Sequence, residues 1–470
     1  MSKAFGVVLS LALASAALSE EYIQVPGVVH VHTDVTMGYP IGKLVALARR
    51  YGIEAIVLTD NYSLRFEYGL FPFRKLLRKV FELPSVRTFG VERYLDMIRR
   101  AQEEYPDIVF VPGVEVTPHY FWTGSLLRRN LTMHNSQKNI LVVGLKRPED
   151  YEEMAYVVQE ARYFGLGSVF RAMPVLLFLP GIWLFRLKKR KVLGGGLIVL
   201  AAISTANNFP YTLSRYDAYR ESGLLPHQML IDFVKAKGGL TFWSFPEAED
   251  FNVFEFGRLG SVTVKTDPYP EDLLKTKGYT GFGALYEDVI TVTKPGNIWD
   301  RMLMEYCEGK REEPVWGIGE AGYHYEGHAG KKLCNILTVL LVPYKDEGQI
   351  LEALRSGRMY AVRGTEDIRL VLEEFTVMGP DGEKAFMGGK LVTKGPPRVH
   401  VKVVERGGRE IPIYLKLIRS GDVIRTFEGK VPLEVVYEDI SCPKQGIVFY
   451  RIEVSGSSSQ IVSNPIFAAL

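Results

Sequence analysis

Residues 166–185 form an apolar run in which Arg171 is the only charge, and residues 192–213 form another that is apolar over its first two-thirds. Between them lies Arg186-Leu187-Lys188-Lys189-Arg190-Lys191, with five cations in six positions. A helix of about 20 residues spans about 30 Å, the thickness of a bilayer's hydrocarbon core. Each run is therefore expected to cross a membrane once, with the basic segment as the tight turn between them. Gly194-Gly195-Gly196 lets two such helices approach closely, and Arg171 lies near the start of the first span, where its side chain can snorkel to the headgroups. A buried helix pair in a water-soluble core would not need so many cations in one turn. The lipid bilayer is thus the first expected partner. Lys and Arg stay on the cytoplasmic side, so the turn at 186–191 is expected in the cytoplasm and both ends of the pair outside.

The N-terminus points the same way. Lys3 precedes an apolar run at 4–18, small residues follow in Ala14-Ser15-Ala16-Ala17, and then come Glu20 and Glu21. This is the order of a secretory signal, and at about 15 residues the run is short for a span. Residues 1–19 are expected to be a signal peptide, so the soluble parts are expected to be membrane-anchored and extracytoplasmic. The net charge of +3 is spread along the chain outside the basic turn, and no nucleic-acid surface is indicated. The three cysteines, Cys307, Cys334 and Cys442, are too few and too dispersed for a disulfide framework or a zinc ribbon. One disulfide stays open in an oxidising compartment.

The soluble sequence has two textures. From residue 25 to about 363, short apolar strands alternate with amphipathic helices. Strands are expected at 28–32, 55–59, 108–111, 139–144 and 240–243, and helices at 41–51, 91–105 and 225–237. Such alternation predicts a mainly parallel sheet or barrel, whose chemistry sits at the C-terminal strand ends. After Gly364, period-two strands at 398–404, 413–419, 433–437 and 447–454 are separated by turn-rich segments. They predict a small antiparallel, Ig-like β-sandwich. The expected organisation is a barrel over 20–363, a transmembrane helical hairpin at 166–213 inserted in it, and a β-sandwich over 364–470.

Candidate site residues recur at the ends of the expected strands. His30 and His32 are two apart, so both point to one face, and two imidazoles in register make half of a zinc or manganese site. Asp60, Glu115 and Glu320 fall at or near later strand ends, His134 precedes the strand at 139–144, and His324 follows Glu320.

These residues resemble the PHP (polymerase and histidinol phosphatase) superfamily of metal-dependent phosphoesterases. Val29-His30-Val31-His32-Thr33 is similar to its opening His-Xaa-His, Thr59-Asp60-Asn61 to its Thr-Asp-His step, and Pro112-Gly113-Val114-Glu115 to its Pro-Gly-Xaa-Glu step. Trp243-Ser244-Phe245-Pro246-Glu247 and Gly319-Glu320-Ala321-Gly322-Tyr323-His324 resemble the two later steps. Arg355-Ser356-Gly357-Arg358-Met359-Tyr360 and Ser463-Asn464-Pro465-Ile466 resemble a carbamate-hydrolase-like branch with a C-terminal sandwich. The resemblance implies a distorted (β/α)7 barrel and up to three divalent ions.

Four positions depart from that pattern. Met37, Asn61, Phe245 and Gly322 stand where the family carries ligands, and Met, Phe and Gly offer no useful side-chain donor. Set against the family's three metal sites, the first keeps His30, His32 and Glu115, the second Glu115 and His134, and the third only His324. The resemblance therefore implies no more than one tightly bound divalent ion, whether zinc, manganese or iron. His30, His32 and Glu115 are its ligands, His134 joins through a shared Glu115, and Glu320 is a substitute acid for the position at Gly322. Two functions stay open: a phosphoesterase-like hydrolase with a reduced centre, and a catalytically inactive barrel serving as a membrane-tethered binding or scaffolding module. The substrate is not legible.

Overall fold

The computed structural model describes residues 22–159, 161–255 and 260–470; the expected signal segment at 1–19 lies outside them. The chain is mixed α/β. Strand β1 (Ile23–Val31) runs parallel to β2 (Ala55–Leu58, continued by Asp60–Asn61), and β2 parallel to β3 (Val109–Val111, continued by Gly113–Val116). Strand β4 (Ile140–Val143) is antiparallel to both β3 and β5 (Leu240–Trp243). Strands β6 (Gly281–Leu285) and β7 (Trp316–Tyr323) follow in parallel, and β7 pairs back onto β1. The pairings from β1 to β7 close a ring, with β4 reversed. Every residue of β2 from Ala55 to Leu58, of β4, β6 and β7 is buried. Strands covered on both faces read as continuous apolar runs rather than alternating ones, which is why β2 and β4 are so rich in Val, Ile and Leu. Helices Ile41–Tyr51, Val91–Glu104, Leu225–Ala236 and Ile298–Cys307 add their apolar stripes to the same core.

Strand β1 changes partners along one edge, and the change lies beside the site. Its first half, Ile23 to Gly27, pairs antiparallel with β8 (Ile336–Val342), while Val29 and Val31 pair with β2 and β7 inside the ring. The register slips between Val29 and Val31 on both sides: against β2 the extra residue is His30, whose φ is +71°, and against β7 it lies on β7 between Glu320 and Tyr323. A non-glycine residue at positive φ costs on the order of 1–3 kcal/mol, and such strain clusters at functional sites.

The C-terminal region is hydrogen-bonded to the ring rather than hung from it. Strand β8 pairs with β9 (Met359–Arg363), and β9 with Gln460–Ser463. Beyond that lie Ile447–Gly456, Pro412–Arg419 and Asp422–Lys430. A separate sheet holds Lys384–Ala385, Leu370–Met378, Arg398–Glu405 and Leu433–Glu438. Alternate residues of Arg398–Glu405 and Pro412–Arg419 are buried, as the period-two pattern requires. Two buried contacts tie this region to the ring. Arg451 makes a bidentate pair with Asp300 at 2.7 and 2.8 Å. The Asn464 side chain accepts from Gly317 N and donates to Gly317 O and Met359 O, completing the backbone of β7 where it has no neighbour. The three cysteines are unpaired.

Two consecutive helices interrupt the alternation. Helix α1 (Leu166–Arg186) has 21 residues and is long and apolar enough to cross a membrane. Its middle is a 3₁₀ stretch, Met173–Leu177, containing Pro174, which cannot donate to an α-helical ladder. Helix α2 (Lys191–Asn208) packs along it. A Cβ on Gly194 would lie 2.2 Å from Phe185 N and 2.7 Å from Gly181 O, so only glycine allows this approach. At the other end Arg171 Nη1 donates to Thr212 O, and Asn208 Nδ2 donates to Arg171 O. The flanking segments Arg162–Tyr163 and Leu213–Ser214 pair antiparallel, so the two ends of the insertion are neighbours.

Four further strands, Phe121–Thr123, Leu131–His134, Asp250–Glu255 and Ser261–Thr266, form an outer sheet, and Leu64–Gly69 with Arg78–Leu83 form a hairpin. Because the insertion enters and leaves through one strand pair, replacing residues 166–211 with a short Gly/Ser linker should leave one cooperative unfolding transition. Thermal denaturation followed by circular dichroism measures this; a broadened or absent transition would mean that the helices belong to the core.

Candidate metal centre

The bulge turns His30 toward His32, and the β1–β7 register sets Val29 opposite Glu320. The result is a buried group of His30, His32 and Glu115 whose ligand atoms all lie within 4.8 Å of one another. His30 Nε2 stands 3.1 Å from His32 Nε2 and 3.4 Å from Glu115 Oε1, and His32 Nε2 stands 3.7 Å from Glu115 Oε2. An ion with bonds of about 2.0–2.1 Å has ligand–ligand edges of about 3.0–3.4 Å, so the triangle has the size of a metal site.

The surrounding groups fix which nitrogen faces inward. Thr36 Oγ1 donates its proton to Asp60 Oδ1 and so must accept from His32 Nδ1, 3.1 Å away. Asp60 is held in turn by Thr33 N and Thr33 Oγ1 at 2.8 and 2.9 Å. This chain leaves the lone pair of His32 on Nε2. His30 Nδ1 donates to Glu320 Oε1 at 2.7 Å, which sends its Nε2 to the same point. Both oxygens of Glu115 receive an amide: Asn61 Nδ2 at 2.6 Å and Asn139 Nδ2 at 2.7 Å. Carboxylate and carbonyl partners on the outer nitrogen are the usual support of a ligating histidine.

The electrostatics agree with the bonding. Burial works against a charge on His30, but Glu115 and Glu320 outweigh it and raise its pKa to about 9. Burial likewise opposes ionisation of Glu115, yet the His30 charge and bond bring it down to about 2. Burial, then the charges of His324 and His30, hold His32 well below its ordinary value. In the absence of a metal the group thus carries a proton on His30 Nε2, shared between the Glu115 carboxylate and the neutral His32. A cation already belongs at this point, and a metal ion would take the proton's place.

The remaining candidates fall differently. The His324 ring stacks on His32 with centroids 4.1 Å apart and planes 4° from parallel, outside the ligand group. Burial and the His30 charge lower its pKa to about 4. His134 is not brought to the group. It ends a strand of the outer sheet, where its Nε2 bonds Thr123 Oγ1 at 2.8 Å and its ring stacks on Phe121. The sequence places His134 just ahead of β4, but the outer strands between β3 and β4 carry it away. Glu320 does not act as a substitute ligand at the Gly322 position either. Its oxygens are taken by His30 Nδ1, Ser244 Oγ and Phe245 N, and Gly283 leaves room for its carboxylate.

At the departures, Met37 is exposed and Asn61 serves Glu115. Phe245, at φ +42°, stacks on His30 at 5.2 Å. A Cβ on Gly322 would lie 2.6 Å from the Phe245 ring. Lys331 Nζ bonds Ala321 O and Gly322 O at 3.0 and 3.2 Å beside that ring. Thr36, Asn139 and Lys331 had no signal in the sequence, since none lies in a recognisable step at a strand end.

Neither a family model nor a curated protein matches the chain. Among solved structures it is similar to a protein from Bifidobacterium adolescentis provisionally assigned as a metal-dependent phosphoesterase. That likeness has 14% identity, covers 65% of this chain and 88% of that one, and has a TM-score of 0.28. It is also similar to an engineered protein at 11% identity, over 92% of this chain and 80% of that one, with a TM-score of 0.15. Overlaps this loose carry no weight, and the chemistry rests on the side chains above.

The shifted groups set a pH dependence for metal-free protein. The raised His30 pKa gives stability that is full below about pH 6.5 and is lost as pH rises through about 9. The lowered pKa values of His32 and His324 act oppositely, with stability lost as pH falls below about 6.5. Chelated protein should therefore be most stable near neutrality. From there to pH 9 it should lose on the order of 3 kcal/mol, and Glu115→Gln should flatten that alkaline limb. Urea unfolding across pH measures it; a limb unchanged in Glu115→Gln would contradict the pairing.

Proposed function

We propose that the chain is a membrane-anchored, extracytoplasmic hydrolase of the PHP type whose reduced centre holds one divalent ion on His30, His32 and Glu115. The observation that carries this reading is the convergence of two imidazole Nε2 atoms and a carboxylate, each held from behind, at one end of a closed strand ring. Two histidines and a glutamate are a donor set of catalytic zinc sites. An ion held there supplies Lewis acidity toward a phosphoryl oxygen and acidifies water. The chain's own residues orient and tune: Glu320 and Thr36 aim the two imidazoles, Asn61 and Asn139 fix the carboxylate, and the Lys331 ammonium adds positive charge beside Phe245.

The membrane part of the reading is supported by the insertion. Only 11% of α1 is buried, and Leu179, Trp183 and Val192 stand in the open, with Val192 92% exposed. Apolar surface of that extent needs a cover, and the five cations between the helices favour a cytoplasmic turn. The fold reading that goes with this is a distorted (β/α)7 barrel carrying a transmembrane hairpin and a terminal sandwich.

One observation favours the second reading, an inactive binding module. Phe245 lies flat on His30 and presses toward Gly322, so an aromatic wall stands where the resemblance expects two ligands. Metal analysis and a generic phosphodiester assay separate the two. Wild type should hold one divalent ion per chain and hydrolyse the ester. His32→Ala and Glu115→Ala should lose both, costing more than the roughly 10–100-fold of an outer-shell change, and His324→Ala should keep the ion. An ion without hydrolysis leaves the binding module, and no ion under metal-replete preparation removes the centre.

A further inference from the structure

A cavity of about 450 Å³ is lined by Ser63, Arg65, Glu82, Arg87, Thr88 and Arg162. Three arginines stand in that lining against one carboxylate, a balance suited to an anion, while the Thr88 hydroxyl is spent on Ser85 O at 3.0 Å. The planar guanidinium fork matches phosphate oxygens in bidentate fashion. Arg65 is partly engaged by Glu67, 3.3 Å away, a carboxylate that Arg78 also contacts at 2.9 Å. Arg162 makes no ion pair among the described residues.

The position of the cavity says what brings the anion. Its walls are the hairpin of Leu64–Gly69 and Arg78–Leu83, the short helix Val86–Phe89, and Arg162. Arg162 belongs to the strand pair that closes the base of the two apolar helices, four positions before Leu166. The hairpin tip is clamped to the end of α2: Lys75 N donates to Asn207 Oδ1 at 3.1 Å, and Lys75 Nζ donates to Asn208 O at 3.2 Å. Phe71, Leu76, Leu77 and Phe81 are exposed on that hairpin, with Phe71 82% exposed. With α1 and α2 in a bilayer, exposed aromatic and aliphatic side chains and an arginine-lined cavity meet the outer leaflet together, where lipid phosphates lie. Ser63, in the cavity lining, is two residues past Asn61, whose amide holds Glu115.

We infer that this cavity binds the phosphate of an anionic lipid headgroup. The inference rests on the membrane placement proposed above and not on the metal. The test uses full-length, chelated protein in non-ionic detergent, titrated calorimetrically with dioctanoyl phosphatidic acid, dioctanoyl phosphatidylcholine and inorganic phosphate. Phosphatidic acid should bind saturably, and about tenfold or more tighter than either comparator. Arg162→Ala should weaken it by about tenfold and Arg162→Lys by less, with unchanged unfolding midpoints; Arg65→Ala serves as a second variant. Equal binding of phosphatidylcholine, or binding indifferent to both alanine variants, would overturn the site. Inorganic phosphate binding as tightly as the lipid, and dependent on Arg162, would overturn the lipid as its source. Failure of the membrane reading shows separately, as an intact chain that stays monodisperse without detergent.

Discussion

The return of β7 onto β1 is the constraint on which the rest depends. It closes the ring, and its register sets Val29 opposite Glu320, so that the Glu320 carboxylate lies beneath His30. β1 also lends its first half to β8 and passes to β7 at Val29, and just beyond that change its pairing with β2 bulges at His30, which lies at positive φ. The strained residue is therefore the one whose imidazole has to point at His32. The strain is held by contacts on all sides: β2 and β7 flank it, Glu320 grips Nδ1, and Phe245 covers the ring. From there, support spreads outward. Asn464 pins the start of β7 at Gly317, and Arg451 binds Asp300, so the terminal sheets brace the strand that aims the histidine.

The centre is a small polar cluster inside an apolar ring, and each polar atom at its heart has a partner. This matters because an unpaired buried charge is costly. His30 and Glu115 solve the problem jointly, one protonated and the other ionised, while burial and the neighbouring His324 and His30 keep His32 neutral. The same arrangement that keeps the metal-free group stable leaves a cation-shaped position among three ligand atoms. On the far side of His30 the chemistry is different. Phe245 and the Lys331 ammonium occupy the region where a larger metal cluster would need donors, and a fixed organic cation there disfavours a second ion by repulsion.

Much of this was legible in the sequence. His30-Val31-His32, Asp60 and Glu115 sit at successive strand ends because a polar residue closing a short apolar run marks the mouth of a ring. The period-two strands after residue 364 and the two apolar runs around the basic turn were equally plain. Other features depend on how the chain travels between strands. His134 precedes β4 in sequence, yet the outer strands Phe121–Thr123 and Leu131–His134 carry it off the ring. The reversal of β4 follows from that same excursion and leaves no mark in its composition. Glu320 shares a face with position 322, which made it a plausible ligand, but the side chain's partners are set by β1 across the ring. The hairpin at 64–83 alternates charges with Phe66 and Tyr68, whose half-buried side chains pack on Tyr120 and Trp122 outside the ring, so its strands do not read as the continuous apolar runs of the ring.

X-ray absorption at the metal edge of metal-replete protein tests most directly whether a single ion sits among His30 Nε2, His32 Nε2 and Glu115. One ion per chain is expected, with two imidazole nitrogens and carboxylate or water oxygens at about 2.0–2.2 Å and no metal–metal scattering. A metal–metal vector near 3.5 Å, or a first shell without two imidazoles, would contradict it.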